Sequence, residues 1–334
     1  MCAKGEHIVK KLTRILLVAL IIVVLGGAIV VVYVYNRLHQ DVIELEPVSG
    51  DLAFISDRNG NWDIFILKPD GTLINVTEEG EGDDYLFSFT FSSDMIYFYT
   101  NRPGEFVPAR VKVDGSELEV MNFITAATNA FSSGHFDVDP TWSPDGRQLA
   151  WAKMQGFSND ICLSSVDDVN DFHCVTQKQG GNFMVSWSPD GTKLAYASDR
   201  TENQSIFVAD IESGEQTQLT HDEGWDFQPV WSLDGSEILF ISNREDDSLV
   251  QGKFDLYLVK PDGSDLQPLA EGAIFKGDPV YSPSGEQVAF MSNEDGNWHI
   301  YLMDADGSNV RRLTDGDSNN MFPVWVPKPA EEKE

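Results

Sequence analysis

The side chains best placed to do chemistry recur at one register of a repeated sequence. Asp137, Asn182, Asp226 and Asn320 each lie three residues before a position that most copies fill with proline, and Asp139 and Asp278 directly precede it. Carboxylates and amides converging on one rim could hold Ca²⁺, which takes six to eight oxygen ligands. The alternative is that each residue caps the start of its own strand. No EF-hand spacing supports calcium, because glycine falls at the wrong place in Asp304-Ala305-Asp306-Gly307; no cofactor is expected, and Ca²⁺ at the rim is the one candidate. Arg58, Arg102, Arg200 and Arg244 also recur, each after Ser/Thr-Asp/Asn. Several arginines could clamp a carboxylate ligand, but a shared register points to a hydrogen-bonding role inside the repeat. The histidines (His7, His39, His135, His173, His221, His299) show no metal-ligand spacing.

The elements that must position these groups come from the repeat itself. PTWSPDGRQLAWA from Pro140, VSWSPDGTKLAYASDR from Val185, PVWSLDGSEILFISNR from Pro229 and PVYSPSGEQVAFMSNE from Pro279 nearly match. A worn copy, FTFSSDMIYFYTNR, begins at Phe89, and DLAFISDRNGNWDIF from Asp51 lacks an opening strand. The strand-one aromatics read as Phe91, Trp142, Trp187, Trp231, Tyr281 and Trp325, spaced 44 to 51 residues apart. Each unit reads as four short strands. Ser-Pro-Asp-Gly makes the first turn, a second Asp-Gly turn joins strands three and four, and Leu-Thr or Val-Thr ends the unit. Four strands in roughly 45 residues predict a propeller blade. The stray strand Phe322–Val326 supplies what the first unit lacks, so six blades close into a ring without free sheet edges.

These repeats resemble the WD-like propeller repeats of the TolB family, whose units run WSPDG, LAF.S.R.G, IY..D.DG and LT. The resemblance spans nearly all of residues 50–327. It implies an all-β, six-bladed propeller at residues 51–327, closed by the C-terminal strand, and a disordered tail at 328–334. Periplasmic TolB works by binding partner proteins and has an α/β domain before its propeller; an anchor and a short linker are expected in that place here. Similar repeats also form the propeller half of prolyl-oligopeptidase and dipeptidyl-peptidase enzymes, where a Gly-x-Ser-x-Gly hydrolase domain does the chemistry. No such motif occurs in this chain.

Residues 15–36, ILLVALIIVVLGGAIVVVYVYN, carry no charge and would make a helix of about 33 Å, the thickness of a bilayer core. Lys4, Lys10, Lys11 and Arg14 precede this run, which puts a cytoplasmic N-terminus at 1–14 and the rest outside the cell. The apolar core is longer than a cleaved signal peptide's and no Ala-x-Ala site follows it, so a single-pass signal anchor in the cell membrane is expected. The linker 37–50 reaches at most about 50 Å. Net charge is −31, and because residues 1–40 carry +4 the remainder carries −35. Such a body repels phosphate backbones, which argues against nucleic acid as a partner.

Irregular segments that the repeat does not require are the candidate contact surface. Phe123, Phe131 and Phe136 lie between units two and three, and Trp225 and Phe275 lie in later connections. Cys162 and Cys174 sit nearly symmetrically about a turn at Asp167-Asp168, where an extracytoplasmic protein could form a disulfide. The expected function is a membrane-anchored, extracytoplasmic scaffold for a protein or peptide partner at the cell envelope. The alternatives are a carbohydrate lyase or hydrolase with its site at the channel mouth, or a regulatory propeller for a separate peptidase.

Overall fold

The computed structural model describes residues 48–78, 82–89, 95–104, 107–120, 141–155, 158–165, 168, 171–177, 180–201, 203–221, 224–244, 253–270 and 275–326. All regular structure among these is β. Among the described residues no helix is long and apolar enough to cross a membrane. The expected spanning helix 15–36, the terminus 1–14, most of the linker and the tail 328–334 lie outside them.

Six four-stranded antiparallel sheets follow one another. Blade one joins Asn320–Trp325 to Leu52–Ser56, Asp63–Leu67 and Leu73–Asn75. Blade two runs Asp84–Phe89, Met95–Thr100, Val107–Lys112 and Glu119–Val120; blade three runs Thr141–Trp142, Gln148–Gln155, Ser158–Ser165 and Phe172–Cys174. Blade four comprises Asn182–Trp187, Lys193–Ser198, Ser205–Asp210 and Gln216–Gln218. Blade five comprises Asp226–Trp231, Ile238–Ser242, Asp255–Val259 and Gln267–Ala270. Blade six comprises Lys276–Tyr281, Gln287–Ser292, His299–Asp304 and Arg311–Arg312. The C-terminal strand pairs with the first, Leu52 opposite Trp325 and Ser56 opposite Asn320, and so completes blade one as the repeat pattern requires.

Blade two corrects one register. Phe89 pairs with Ile96, just as Trp187 pairs with Leu194 and Trp231 with Ile238. Phe89 therefore holds the strand-one position that the sequence pattern assigned to Phe91. The turn keeps its six-residue length in this copy but has lost Pro-Asp-Gly, the landmark on which the alignment leaned; Phe91 itself lies outside the described residues.

Local chemistry explains the repeat. In blade four Gly191 takes φ +72, and its amide donates to the Ser188 carbonyl. Ser188 Oγ donates to Asp190 Oδ1 at 2.6 Å and accepts from Lys193 N at 2.9 Å. Ser143, Ser232 and Ser282 make the same hydroxyl-to-amide closure. The Ser188 hydroxyl first, then the Thr192 amide and hydroxyl, donate to the Asp190 carboxylate and hold it below its ordinary value. The terminal threonines work at the far end of the blade. Thr77, Thr176, Thr220 and Thr314 accept through Oγ1 from the amides of Ile64, Ile161, Ile206 and Ile300 at 2.8–3.0 Å.

Strands two and three are buried along their length, as Leu52–Ser56 and Asp63–Leu67 show, because sheets cover both of their faces. Among the described residues, apolar clusters fill the seams six–one, one–two, three–four, four–five and five–six. Strand-one tryptophans add a polar link across a seam. Trp187 Nε1 donates to the Thr141 carbonyl and Trp325 Nε1 to the Val280 carbonyl, at 3.1 and 3.2 Å.

Trp325 joins the seam between blades six and one and is 7% exposed, so its strand is structural to the whole ring. Truncation after Asn320 is expected to lower the urea midpoint of the entire propeller in one step, and Trp325→Ala to cost roughly 3–5 kcal/mol. A truncated chain that melts with unchanged midpoint and cooperativity would contradict closure by this strand.

Candidate functional site

Three of the six residues expected at the channel mouth hold the starts of their own strands. Asn182, Asp226 and Asn320 are the first residues of their inner strands and are at most 1% exposed. Each is gripped by the arginine that ends strand two of the same blade. Arg58 Nη2 donates to Asn320 Oδ1 at 2.8 Å, Arg200 Nη2 to Asn182 Oδ1 at 2.8 Å and Arg244 Nη2 to Asp226 Oδ1 at 3.0 Å. The arginine Nε donates in turn to Ser56, Ser198 or Ser242 at 3.0 Å. The guanidinium also lies over an aromatic pair: 4.6 Å from the Phe65 ring, 4.4 Å from Phe207 and 4.6 Å from Tyr257. Strand-start capping is therefore what the structure shows for these three residues.

The same start residues tie one blade to the last. Backbone amides of Asp84, Asp226, Lys276 and Asn320 donate to the carbonyls of Trp62, Gln204, Phe254 and Trp298 in the preceding blade, at 2.7–3.1 Å. In blade four the link runs from Asn182 Nδ2 to the Asn159 carbonyl at 2.7 Å.

Sequence reasoning missed two members of this set, Asp84 and Lys276. The signal was a constant spacing of 18 residues between start residue and arginine, seen for Asp84–Arg102, Asn182–Arg200 and Asp226–Arg244. Blade six keeps the spacing with its charges exchanged, Lys276 and Glu294. Lys276 Nζ instead meets Asp255 at 2.6 Å and the Ala270 carbonyl at 3.0 Å.

Asp278 belongs elsewhere. It lies two residues into its strand, beside a bulge, with φ +47. Met184, Gln228 and Phe322 hold the same place in blades four, five and one, with φ between +51 and +56. Each bulge removes a ladder position, and Pro229, Pro279 and Pro323, which have no N–H, follow three of the four. Met184 and Phe322 are exposed on these innermost strands, while Gln228 Nε2 donates to Asp278 Oδ1 at 2.5 Å and Gln228 Oε1 accepts from the Asp278 amide at 2.8 Å. Asp137 and Asp139 lie outside the described residues. Among the described residues no three His, Cys, Asp or Glu side chains assemble into a group able to hold a metal.

The contact candidates separate similarly. Phe123, Phe131 and Phe136 lie outside the described residues. Trp225 and Phe275 belong to a continuous run of rings. Trp225 meets Phe227 with centroids 6.1 Å apart, Phe227 meets Phe254 at 5.8 Å, Phe254 meets Phe275 at 5.3 Å, and Phe275 meets Trp298 at 5.3 Å. Trp225 is 39% exposed and the other four are half-buried. All five sit at the loop face, where strands two and three and successive blades are joined. The Ser-Pro-Asp-Gly turns occupy the other face. Cys162 and Cys174 pair across the outer hairpin of blade three as a disulfide.

Residues 125–275 match the family described as TolB beta propeller domain. The described residues form a β-propeller of six blades. Solved structures agree on this fold. A TolB-type chain from Agrobacterium tumefaciens is 24% identical, with 84% of this chain and 99% of that one covered at a TM-score of 0.56. TolB from Acinetobacter baumannii is 17% identical, with 90% and 71% covered at 0.63. A chain of a nidogen/laminin complex is 12% identical, with 82% and 97% covered at 0.58. No curated protein matches the sequence. The arginine clamps in this chain serve the blades.

Burial is the main influence on Asp226 and pushes its carboxyl up; the Arg244 guanidinium, Ser242 and Thr220 pull it back. Arg244→Ala removes the strongest opposing influence and is expected to cost roughly 3–5 kcal/mol. A raised native pKa gives stability that is present at low pH and lost as pH rises, so the penalty should be larger at pH 8 than at pH 4, near the ordinary carboxylate range. Urea denaturation of both proteins at both pH values measures it, and an equal penalty at the two would contradict the clamp.

Proposed function

We propose that this chain is a membrane-tethered, extracytoplasmic binding scaffold whose loop face docks a protein partner at the cell envelope. One observation carries this reading. The polar groups at the strand starts are consumed by bonds within and between blades, whereas a run of aromatic rings on the same face is only half-covered. Groups already committed to the fold are poorly placed for proton transfer or ligand exchange. Aromatic rings on a rigid frame suit association.

The path of the chain supports the choice of face. Val48 is buried, and the Ser49 amide donates to Gln287 Oε1 at 3.0 Å, beside the first turn of blade six. Leu52 then pairs with Trp325 at the turn end of blade one. From Val48 onward the chain thus joins the propeller on the turn face, opposite the aromatic run. An anchor at 15–36 with its basic flank inside would hold the acidic propeller outside the membrane, consistent with the lysine and arginine bias.

Two measurements in intact cells test this. A membrane-impermeant maleimide should label a Thr192→Cys variant on its turn and leave the native Cys2 unlabelled; the reverse pattern would contradict the topology. A photo-crosslinking residue at position 225 should give a discrete adduct that one at position 192 does not. Equal adducts at both positions, or none at 225, would contradict docking on the loop face.

A further inference from the structure

Blades one, three, four and six share a buried position just ahead of the isoleucine whose amide meets the terminal threonine. It holds Asp63, Asp160, Ser205 and His299, each at most 3% exposed. Of these four, only the histidine has an ordinary pKa near neutrality. In blade three the Thr176 hydroxyl accepts from the Ile161 amide and donates to Asp160 Oδ1 at 3.1 Å. Thr314 repeats this in blade six: it accepts from the Ile300 amide at 2.9 Å and lies 3.4 Å from His299 Nδ1. The pattern assigns Nδ1 the acceptor place that Asp160 Oδ1 fills, and an accepting ring nitrogen belongs to the neutral imidazole.

His299 also lies where the ring closes. Trp298 and Ile300, on either side of it, pack in the seam between blades six and one. The Trp298 carbonyl accepts the Asn320 amide at 2.7 Å, and its own amide donates to Asn319 Oδ1 at 3.2 Å. The start of the C-terminal strand is thus held by the immediate neighbour of His299. Charged groups on the elements packed around it are engaged with one another or with the fold. Arg312, on the outer strand, pairs with Asp295 and Asp315, and Tyr301 donates to Asp295. Lys276 pairs with Asp255, while across the seam Arg58 holds Asn320 and Asp57 holds Asn319. Glu294 and Asp317 lie on the adjoining loops.

We propose that His299 is an acid-sensitive latch on the closing seam: neutral, it keeps blades six and one joined; protonated, it releases the C-terminal strand ahead of the rest of the ring. Burial foremost, then the Arg312 cation, holds the imidazole below its ordinary value, against the pull of Asp295 and Asp315. A histidine lowered in the native state contributes stability that is present above about 6.5 and lost as pH falls through its native value. The raised Asp226 carboxyl has the opposite sign and cannot produce this loss. The latch is independent of partner docking on the loop face.

Amide exchange and imidazole titration, both followed by NMR on the purified full-length chain, test this. Between about pH 7.5 and pH 5, after correction for intrinsic exchange, protection of the Asn320 amide should fall about tenfold, while that of Asp226 and Lys276 should not fall. His299→Asn keeps an acceptor that does not titrate and should abolish the fall. His173→Asn, on the exposed outer strand of blade three, should leave it as in the wild type. No fall in the wild type, or a fall of the same size in His299→Asn, would overturn the proposal. So would equal falls at Asn320, Asp226 and Lys276, since acid would then loosen the whole ring and not its closing seam. If His299→Asn does not fold, the wild-type imidazole decides. Titration of His299 at or above about 6.5 would overturn the latch, and a lower value that coincides with loss of Asn320 protection would support it.

Discussion

Everything in this propeller depends on how each inner strand starts. Among the described residues a buried polar residue opens the strand in blades one, two, four, five and six; in the first four of these the arginine that follows strand two of the same blade holds its side chain, and a bond from the start residue's amide or side chain reaches the previous blade in all five. A buried, unsatisfied amide or carboxylate would cost about 1–3 kcal/mol, so these groups tolerate only the arrangement in which both partners are present. Blade geometry and blade-to-blade geometry are thereby set by one residue. The apolar clusters at the seams supply most of the burial, but they are less directional than these bonds.

That constraint divides the two faces. The turn face is built from short Ser-Pro-Asp-Gly and Asp-Gly loops whose carboxylates are occupied by backbone amides and hydroxyls. The loop face holds the longer connections, and its aromatic residues sit next to the bonds that join blades. Trp62, Phe254 and Trp298 each lend a carbonyl to the following blade while their rings remain partly open.

Most of the architecture was legible because it repeats. The six units, the split first blade and the closing strand at Trp325 follow from motif spacing alone, and the recurrence of Arg58, Arg200 and Arg244 correctly marked a structural role. Legibility failed where a copy had drifted. Blade two lost its Pro-Asp-Gly and its register slipped by two residues on paper, and Lys276 escaped notice because it exchanges charge with its partner position. Asp278 was grouped with the strand starts because both precede proline; only backbone geometry separates a capped start from a left-handed bulge residue. The aromatic run was half visible. Trp225 and Phe275 stood out in irregular connections, but nothing in the sequence linked them to Phe227, Phe254 and Trp298, which only folding brings into one run.

Hydrogen exchange resolved to single amides tests the central claim most directly, by following Asp84, Asp226, Lys276 and Asn320 in the intact chain at increasing urea. If inter-blade bonds at the strand starts hold the ring as one unit, these amides exchange only through global unfolding, with a common free energy and a common urea dependence. Exchange at different rates and with shallow urea dependence, blade by blade, would show that the blades open independently and would contradict the account.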